Sequence, residues 1–135
     1  MFSWLKPSVQ MLGRWQPWHD GHTELFKRAY AITGQVCIQV RDVPPVGEEA
    51  NPLMPGQNDN PFVFLQVKQR IAEILKKEGF EEGIEYIIMK VPNIVDISYG
   101  RGVGYSFTEH DLGEEIHNIS ATEIRKQLRE EGKLA

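Results

Sequence analysis

The chain has 135 residues, of which 41% are hydrophobic and 25% charged, and these values suit a single globular domain over residues 1–135. A formal net charge of −4, with no basic stripe among the aromatic residues, argues against a nucleic-acid partner, and no apolar run approaches the ~20 residues of a membrane span. A lone cysteine, Cys37, excludes an intramolecular disulfide, and the N-terminal residues lack a signal-peptide pattern, so we expect a cytoplasmic protein.

The first third of the chain predicts a strand, a helix and a second strand. Residues 8–14 have the pattern of a short buried strand that ends at Gly13. Apolar residues at helical spacing predict a helix over 19–32, which Gly34 closes. Residues 35–41 are rich in β-branched residues and predict the second strand.

The middle of the chain predicts a long loop, a helix and a third strand. Prolines and glycines exclude regular structure over the loop 43–60, for which a lid and a disordered surface insertion are both open interpretations. Pro61 predicts the start of the second helix, because proline is favoured in a first turn, and Gly79 predicts its end. Residues 84–91 have the composition of a strand.

The last third predicts irregular structure over 92–118, with a short strand near 103–107, and a final helix from Ser120 to about Glu130. The alternation of elements predicts an α/β fold: a single-domain, Rossmann-like parallel sheet flanked by helices. In such sheets ligands bind beyond the carboxyl ends of the strands.

One candidate site is the segment that leaves the first strand and enters the first helix, GRWQPWHDGH from Gly13 to His22. A helix N-terminus offers N–H groups and a positive dipole end to phosphate. His19 and His22 share a helix face, Gly21 lets a ligand approach the backbone, and Arg14 adds a positive charge. The alternative interpretation is structural, with His22 a core histidine and His19 a helix cap.

The second candidate segment is ISATEIR, from Ile119 to Arg125. Ser120 and Glu123 form the Ser-x-x-Glu pattern of a capping box, which stabilises a helix by ~1 kcal/mol. Capping does not explain Arg125. Its guanidinium could reach past the helix N-terminus to a phosphate, beside a hydroxyl from Ser120 or Thr122. By contrast, a zinc site would need other histidines whose spacing matches no common zinc pattern, so we predict no protein-built metal site.

Together the two segments resemble the nucleotidyltransferase superfamily named for its His-x-Gly-His signature. The signature is matched by His19-Asp20-Gly21-His22, and the C-terminal Ile-Ser-x-Thr-x-Ile-Arg motif of that superfamily is matched by the segment ending at Arg125. The resemblance covers nearly the whole chain. Either motif alone would be weak, whereas the pair at opposite ends of this element order is specific.

Two branches of that superfamily are similar to this chain. Archaeal-type nicotinamide mononucleotide adenylyltransferases share the run Gly-Arg-x-Gln-Pro, with Phe where Trp15 stands, and the segment Asn60-Pro61-Phe62 that opens the predicted second helix. Cytidylyltransferase-like domains, some fused to adenylylsulfate kinase, resemble it over Arg41-Asp42 and over residues 99–105. The adenylyltransferases have a Gly-Ser-Ala-Gln-like segment after their second strand, and this chain does not.

The resemblance implies transfer of CMP or AMP from CTP or ATP to a phosphorylated small-molecule acceptor, with release of pyrophosphate. Mg²⁺ would be coordinated by the nucleotide phosphates, and the protein could form a homo-oligomer. By the same resemblance, the catalytic residues would be His19, His22 and Arg125; the nucleotide would also contact Gly13, Arg14, Trp15, Gln16, Gly21, Ser120 and Thr122; and the acceptor would contact Arg41, Asp42 and Asn60.

Two alternative functions stay open from the sequence. One is a nicotinamide mononucleotide adenylyltransferase, which the Gly-Arg-x-Gln-Pro run favours. The other is a non-catalytic, nucleotide-binding regulatory module, against which the intact His19, His22 and Arg125 argue.

Overall fold

A computed structural model describes residues 1–43, 61–101, 104–112 and 121–132, with side chains in the last range described from Ile124 onward. The loop 44–60 and Ser120 lie outside the described residues, and so do the side chain of Thr122 and the acceptor candidate Asn60. The elements are β1 (Val9–Gly13), α1 (Asp20–Thr33), β2 (Val36–Arg41), α2 (Phe64–Lys77), β3 (Tyr86–Val91) and α3 (Ala121–Glu130).

The described strands form one parallel sheet in the order β1-β2-β3, with β2 in the centre. In β2, every second side chain is buried: Val36, Ile38 and Val40 are at most 2% exposed. That period of two is what a sheet with one fully covered face requires. The α/β architecture with a parallel sheet and flanking helices is therefore confirmed, and its three described strands are compatible with a Rossmann-like fold.

The core lies between that face of the sheet and the apolar stripes of α1 and α2. Phe26 and Ala29 from α1, and Ile71 and Leu75 from α2, are at most 1% exposed. The opposite face of the sheet is more polar, and there the side chains of Gln10 and Gln39 form a hydrogen bond of 2.6 Å. None of the helices in the described ranges is long and apolar enough to span a membrane.

The second helix begins three residues later than the proline signal predicts. Pro61 and the two residues after it lie outside the helix, and α2 starts at Phe64 with Val63 in the capping position. The side chain of Gln66 accepts a hydrogen bond from the Val63 N–H at 3.0 Å. Because this contact satisfies an N–H group at the helix start, the chain has no need of a proline in the first turn.

The short strand predicted near 103–107 is wrong for the part of it that is described, 104–107, which is irregular. Gly104 has a left-handed backbone with φ 82°, which interrupts an extended run. Tyr105 and Phe107 are 70% and 63% exposed, so neither packs as a residue of a buried strand would.

The carboxyl ends of the three strands meet at one rim, as predicted. In the register of the sheet Gly13 pairs with Val40, and Arg41 pairs with Val91. The segments that follow these residues therefore leave the sheet side by side. This rim carries both the loop that enters α1 and the acceptor candidates Arg41 and Asp42.

Gly13 is predicted to be intolerant of any side chain. A Cβ at this position would lie 2.8 Å from two ring carbons of Trp15, closer than atoms can pack. We expect Gly13→Ala to lower the free energy of unfolding by about 1–3 kcal/mol, as overpacking does, measured by urea denaturation. The matched control is Gly100→Ala, since no described atom lies within 4 Å of a Cβ there. Equal stabilities of the two variants would contradict this account.

Candidate functional site

The loop from Arg14 to His19 carries the candidate site and turns sharply at Trp15. This residue has φ 53°, a left-handed backbone that residues other than glycine rarely adopt. Its indole is 7% exposed and its Nε1 donates to the carbonyl of Gln39 at 3.0 Å. The indole is therefore anchored in the core over Gly13.

Gln16 joins this loop to two distant parts of the chain. Its side-chain Nε2 donates to the carbonyl of Phe62 at 2.9 Å, and its Oε1 accepts from the Phe62 N–H at 2.9 Å. Its own backbone carbonyl accepts a 2.6 Å hydrogen bond from Nη1 of Arg125. The loop is thereby held by the segment before α2 and by α3, across 46 and 109 residues of sequence.

Trp18 fixes the end of the loop. Its side chain is fully buried, and its Nε1 donates to the Thr23 hydroxyl at 2.8 Å, one turn into α1. Its carbonyl accepts from Nε of Arg70 in α2 at 2.9 Å. The backbone just before His19 is therefore braced from a second helix.

His19 and His22 together cap the N-terminus of α1. Nδ1 of His19 accepts from the Gly21 N–H at 3.0 Å, and Nδ1 of His22 accepts from the His19 N–H at 3.1 Å. This is the geometry of a capping box, with histidines in place of the usual Ser or Thr and Glu or Gln. The structural interpretation of His19 as a helix cap is thus confirmed, and it extends to His22.

The capping contacts also decide which nitrogen of each imidazole carries the proton. A nitrogen that accepts from an N–H group has no proton of its own, so each neutral ring carries its proton on Nε2. Among the described residues neither Nε2 of this pair makes a hydrogen bond. The rings are stacked with centroids 3.7 Å apart at the N-terminus of α1, and each carries one N–H donor.

Burial keeps this pair neutral. The pKa of His22 is lowered to about 3, first by desolvation and then by the neighbouring His19. The indole rings of Trp15 and Trp18 surround it, with centroids 4.8 and 5.5 Å from the imidazole. The pKa of His19 is lowered too, by desolvation and by the charge of Arg70, while Asp20 acts in the opposite direction.

A cavity of about 260 Å³ lies on the same rim, beside Gln16 and the start of α2. Its polar wall includes Arg41, Asp42 and Lys90, and its apolar wall includes Phe62 and Val67. Nη2 of Arg41 donates to Asn93 at 2.9 Å, whereas its Nε is buried without a hydrogen-bond partner among the described residues. Buried donors are ordinarily paired, so this nitrogen is an exception within the described residues.

The structure brings most of the predicted site residues together. Gly13, Arg14, Trp15, Gln16, His19, Gly21 and His22 belong to one strand end, loop and helix turn, and Arg125 contacts that loop. The amide of Gln16 is already used by Phe62, which makes it a structural residue of the site. Arg41 and Asp42 lie on the neighbouring cavity.

Sequence reasoning missed Arg70 and Phe62. Arg70 sits in a helix with several charged residues, and its bond to Trp18 spans 52 residues of sequence. Phe62 holds Gln16 through its backbone groups, which carry no side-chain signature. The sequence offers one indication for Phe62: the segment Asn60-Pro61-Phe62 resembles one in the adenylyltransferases. That resemblance does not show what Phe62 contacts.

Comparison of the chain with protein-family models, with curated proteins and with solved structures gives no match. The arguments about function below therefore rest on the residues and their geometry.

The lowered pKa of His22 predicts a pH dependence of stability. The pKa of His22 has its ordinary value of 6.5 in the unfolded chain and is lowered to about 3 in the folded chain. Between pH 6.5 and pH 3 the unfolded state therefore binds more protons than the folded state. The stability that depends on a neutral His22 is complete above pH 6.5 and is lost as the pH falls. Between pH 7 and pH 4.5 we expect a loss of about 2 kcal/mol from this group.

The matched variant is His22→Gln, because glutamine is a usual capping-box partner and keeps the contact to the His19 N–H. Urea denaturation at both pH values should show a smaller loss for the variant than for the wild type. Carboxylates titrate in both proteins and cancel in the difference. Equal losses would show that His22 is not held neutral by burial.

Arg125 is predicted to affect folding. Its side chain is 3% exposed and bonded to the Gln16 carbonyl, so Arg125→Ala leaves a buried carbonyl without this donor. We expect the free energy of unfolding to fall by about 1–3 kcal/mol, measured by urea denaturation. The control is Lys126→Ala, an exposed neighbour in α3. Unchanged stability of Arg125→Ala would mean that the side chain serves a ligand alone.

Proposed function

We propose that this protein is a nucleotidyltransferase that moves CMP or AMP from CTP or ATP to a phosphorylated small molecule, with release of pyrophosphate. The observation that carries the proposal is the histidine pair: two neutral imidazoles whose Nδ1 atoms are both engaged by the cap, so that both Nε2–H groups can donate to phosphate. The positive end of the α1 dipole adds to the attraction.

The reaction we propose is a direct displacement. An oxygen of the acceptor phosphate attacks the α-phosphorus, the bond from that phosphorus to the bridging oxygen breaks, and pyrophosphate leaves with the bond electrons. The protein then has to position the reactants and to stabilise charge. His22 donates from Nε2 to a non-bridging oxygen of the α-phosphate, and His19 donates to the adjacent phosphate. Donors held in place before the reaction avoid the cost of reorganisation.

The acceptor is proposed to bind in the cavity next to Gln16. The guanidinium of Arg41 and the ammonium of Lys90, which both line the cavity, would attract its phosphate. Lys90 lies 3.5 Å from Asp42 in an exposed ion pair, which is weak and can yield to a phosphate. The apolar wall of the cavity would cover the rest of the acceptor.

Arg125 is proposed to combine two roles. Its Nη1 holds the Gln16 carbonyl, and so fixes the loop that carries the histidines. Its positive charge also lies beside this loop, where it favours the departing pyrophosphate. This arrangement differs from a simple phosphate clamp, because loss of the side chain would disturb loop and charge together.

The donor set of the site suits a metal ion that is held mainly by the nucleotide. Around the loop the described groups are chiefly imidazoles and guanidiniums, with the carboxylate of Asp20 in the first turn of α1. Mg²⁺ commonly keeps water and phosphate oxygens and takes one or two carboxylates. When bound with the triphosphate, it would neutralise part of the phosphate charge.

The test is release of pyrophosphate from CTP and from ATP, with Mg²⁺, over a panel of sugar, polyol and amino-alcohol phosphates and nicotinamide mononucleotide. We expect release that depends on one acceptor. His22→Ala should lower kcat by ~10²–10³ with a much smaller change in KM, because the donor acts on charge that develops in the transition state.

The control for this variant is Lys27→Ala, which removes an exposed cation near the middle of the same helix. Folding of both variants is checked by circular dichroism before the assay. Triphosphate binding without release across the panel would favour the regulatory module, and release with nicotinamide mononucleotide and ATP alone would identify the adenylyltransferase.

A further inference from the structure

Arg70 is the one described residue of α2 whose side chain is hydrogen-bonded to the loop from Arg14 to His19. Its Nε donates to the carbonyl of Trp18 at 2.9 Å, directly before His19 in the chain. This contact brings a guanidinium from a different helix to the N-terminus of α1. The side chain is partly buried, so its charge is only partly screened by solvent.

The contact uses one of the three nitrogens of the guanidinium. Among the described residues no acceptor is bonded to Nη1 or Nη2 of Arg70, and no carboxylate forms an ion pair with it. A guanidinium presents its N–H groups as a planar fork that matches two phosphate oxygens. The bond from Nε to Trp18 holds the plane of that fork next to the histidine pair.

The electrostatics of His19 place the same group near its imidazole. Three influences act on the His19 pKa: desolvation lowers it, the carboxylate of Asp20 raises it and the charge of Arg70 lowers it. Arg70 is thus close enough to act on that ring. A cation near this ring that is paired with no carboxylate of the described ranges attracts an anion to the donors of the pair.

We propose that Arg70 is a triphosphate-binding residue of this site, which is anchored through Nε on the Trp18 carbonyl and offers Nη1 and Nη2 to the phosphate next to His19. The inference rests on the proposed function, since it assigns a residue to its phosphate site. A side chain that only braced the loop would need the Nε contact and nothing more.

The experiment measures binding of inorganic tripolyphosphate by calorimetry at fixed pH and ionic strength. This probe has no base and needs no acceptor, so it reports on the phosphate site alone. For Arg70→Gln we expect affinity to fall about 10- to 100-fold, the loss of charge-assisted hydrogen bonds. Arg70→Lys should bind with intermediate affinity, because it keeps the charge without the fork.

The matched control is Lys68→Gln, which removes the same charge from an exposed position on the same helix, where Lys68 pairs with Glu82 at 3.3 Å. It should bind tripolyphosphate like the wild type. A second readout needs no ligand: the ¹⁵N spectra of the imidazoles should show a raised pKa for His19 in Arg70→Gln, with Nε2 still protonated in the neutral ring.

Three results would overturn the inference. If Arg70→Gln binds tripolyphosphate as the wild type does, Arg70 is not a phosphate ligand, and the proposed function stands. The uncharged nucleosides cytidine and adenosine are measured in the same way. If Arg70→Gln and Arg70→Lys lose affinity for a nucleoside as much as for tripolyphosphate, the side chain acts only through the shape of the loop. If the wild type does not bind tripolyphosphate, the inference and the proposed function fall together.

Discussion

The loop between β1 and α1 depends on hydrogen bonds to its own backbone and to the amide of Gln16. Phe62, Arg70 and Arg125 each contact this short segment, and they come from the residues before α2, from α2 and from α3. Loops are ordinarily among the least ordered parts of a fold. Here three distant elements restrain one loop, which leads directly into the cap that His19 and His22 form.

Around this loop, neutral hydrogen-bond donors and positive charge come from different residues. The histidines are neutral because the tryptophans that fill the core also bury His22. The positive charge comes from guanidiniums on other elements, which stay charged at any physiological pH. In the function that we propose, the directional donors and the positive field are therefore supplied by different residues.

The strand over 35–41 was predicted from its β-branched composition, and the structure has β2 over Val36–Arg41. The alternate burial of Val36, Ile38 and Val40 follows from the covering of a single face of the sheet. Prediction failed where tertiary contacts and caps decide the structure. Pro61 fits a helix start by propensity, yet Gln66 caps the helix at a later residue. The apolar residues around Tyr105 suggest a strand, although no described neighbour pairs with them. The histidine segment was found from its motif, whereas Arg70 needed the fold, since its partner is remote in sequence.

The cap and the proposed phosphate site are compatible uses of the same two side chains. A helix cap alone does not explain histidine here, because Ser or Thr with Glu or Gln satisfies the same N–H groups. An imidazole whose Nδ1 accepts from the backbone must, when neutral, carry its proton on the far side of the ring. Amide side chains also combine an acceptor with a donor, but without the stacking that holds the two rings 3.7 Å apart. In the function that we propose, Nε2 of each histidine binds phosphate, and the cap is the means by which that donor is fixed.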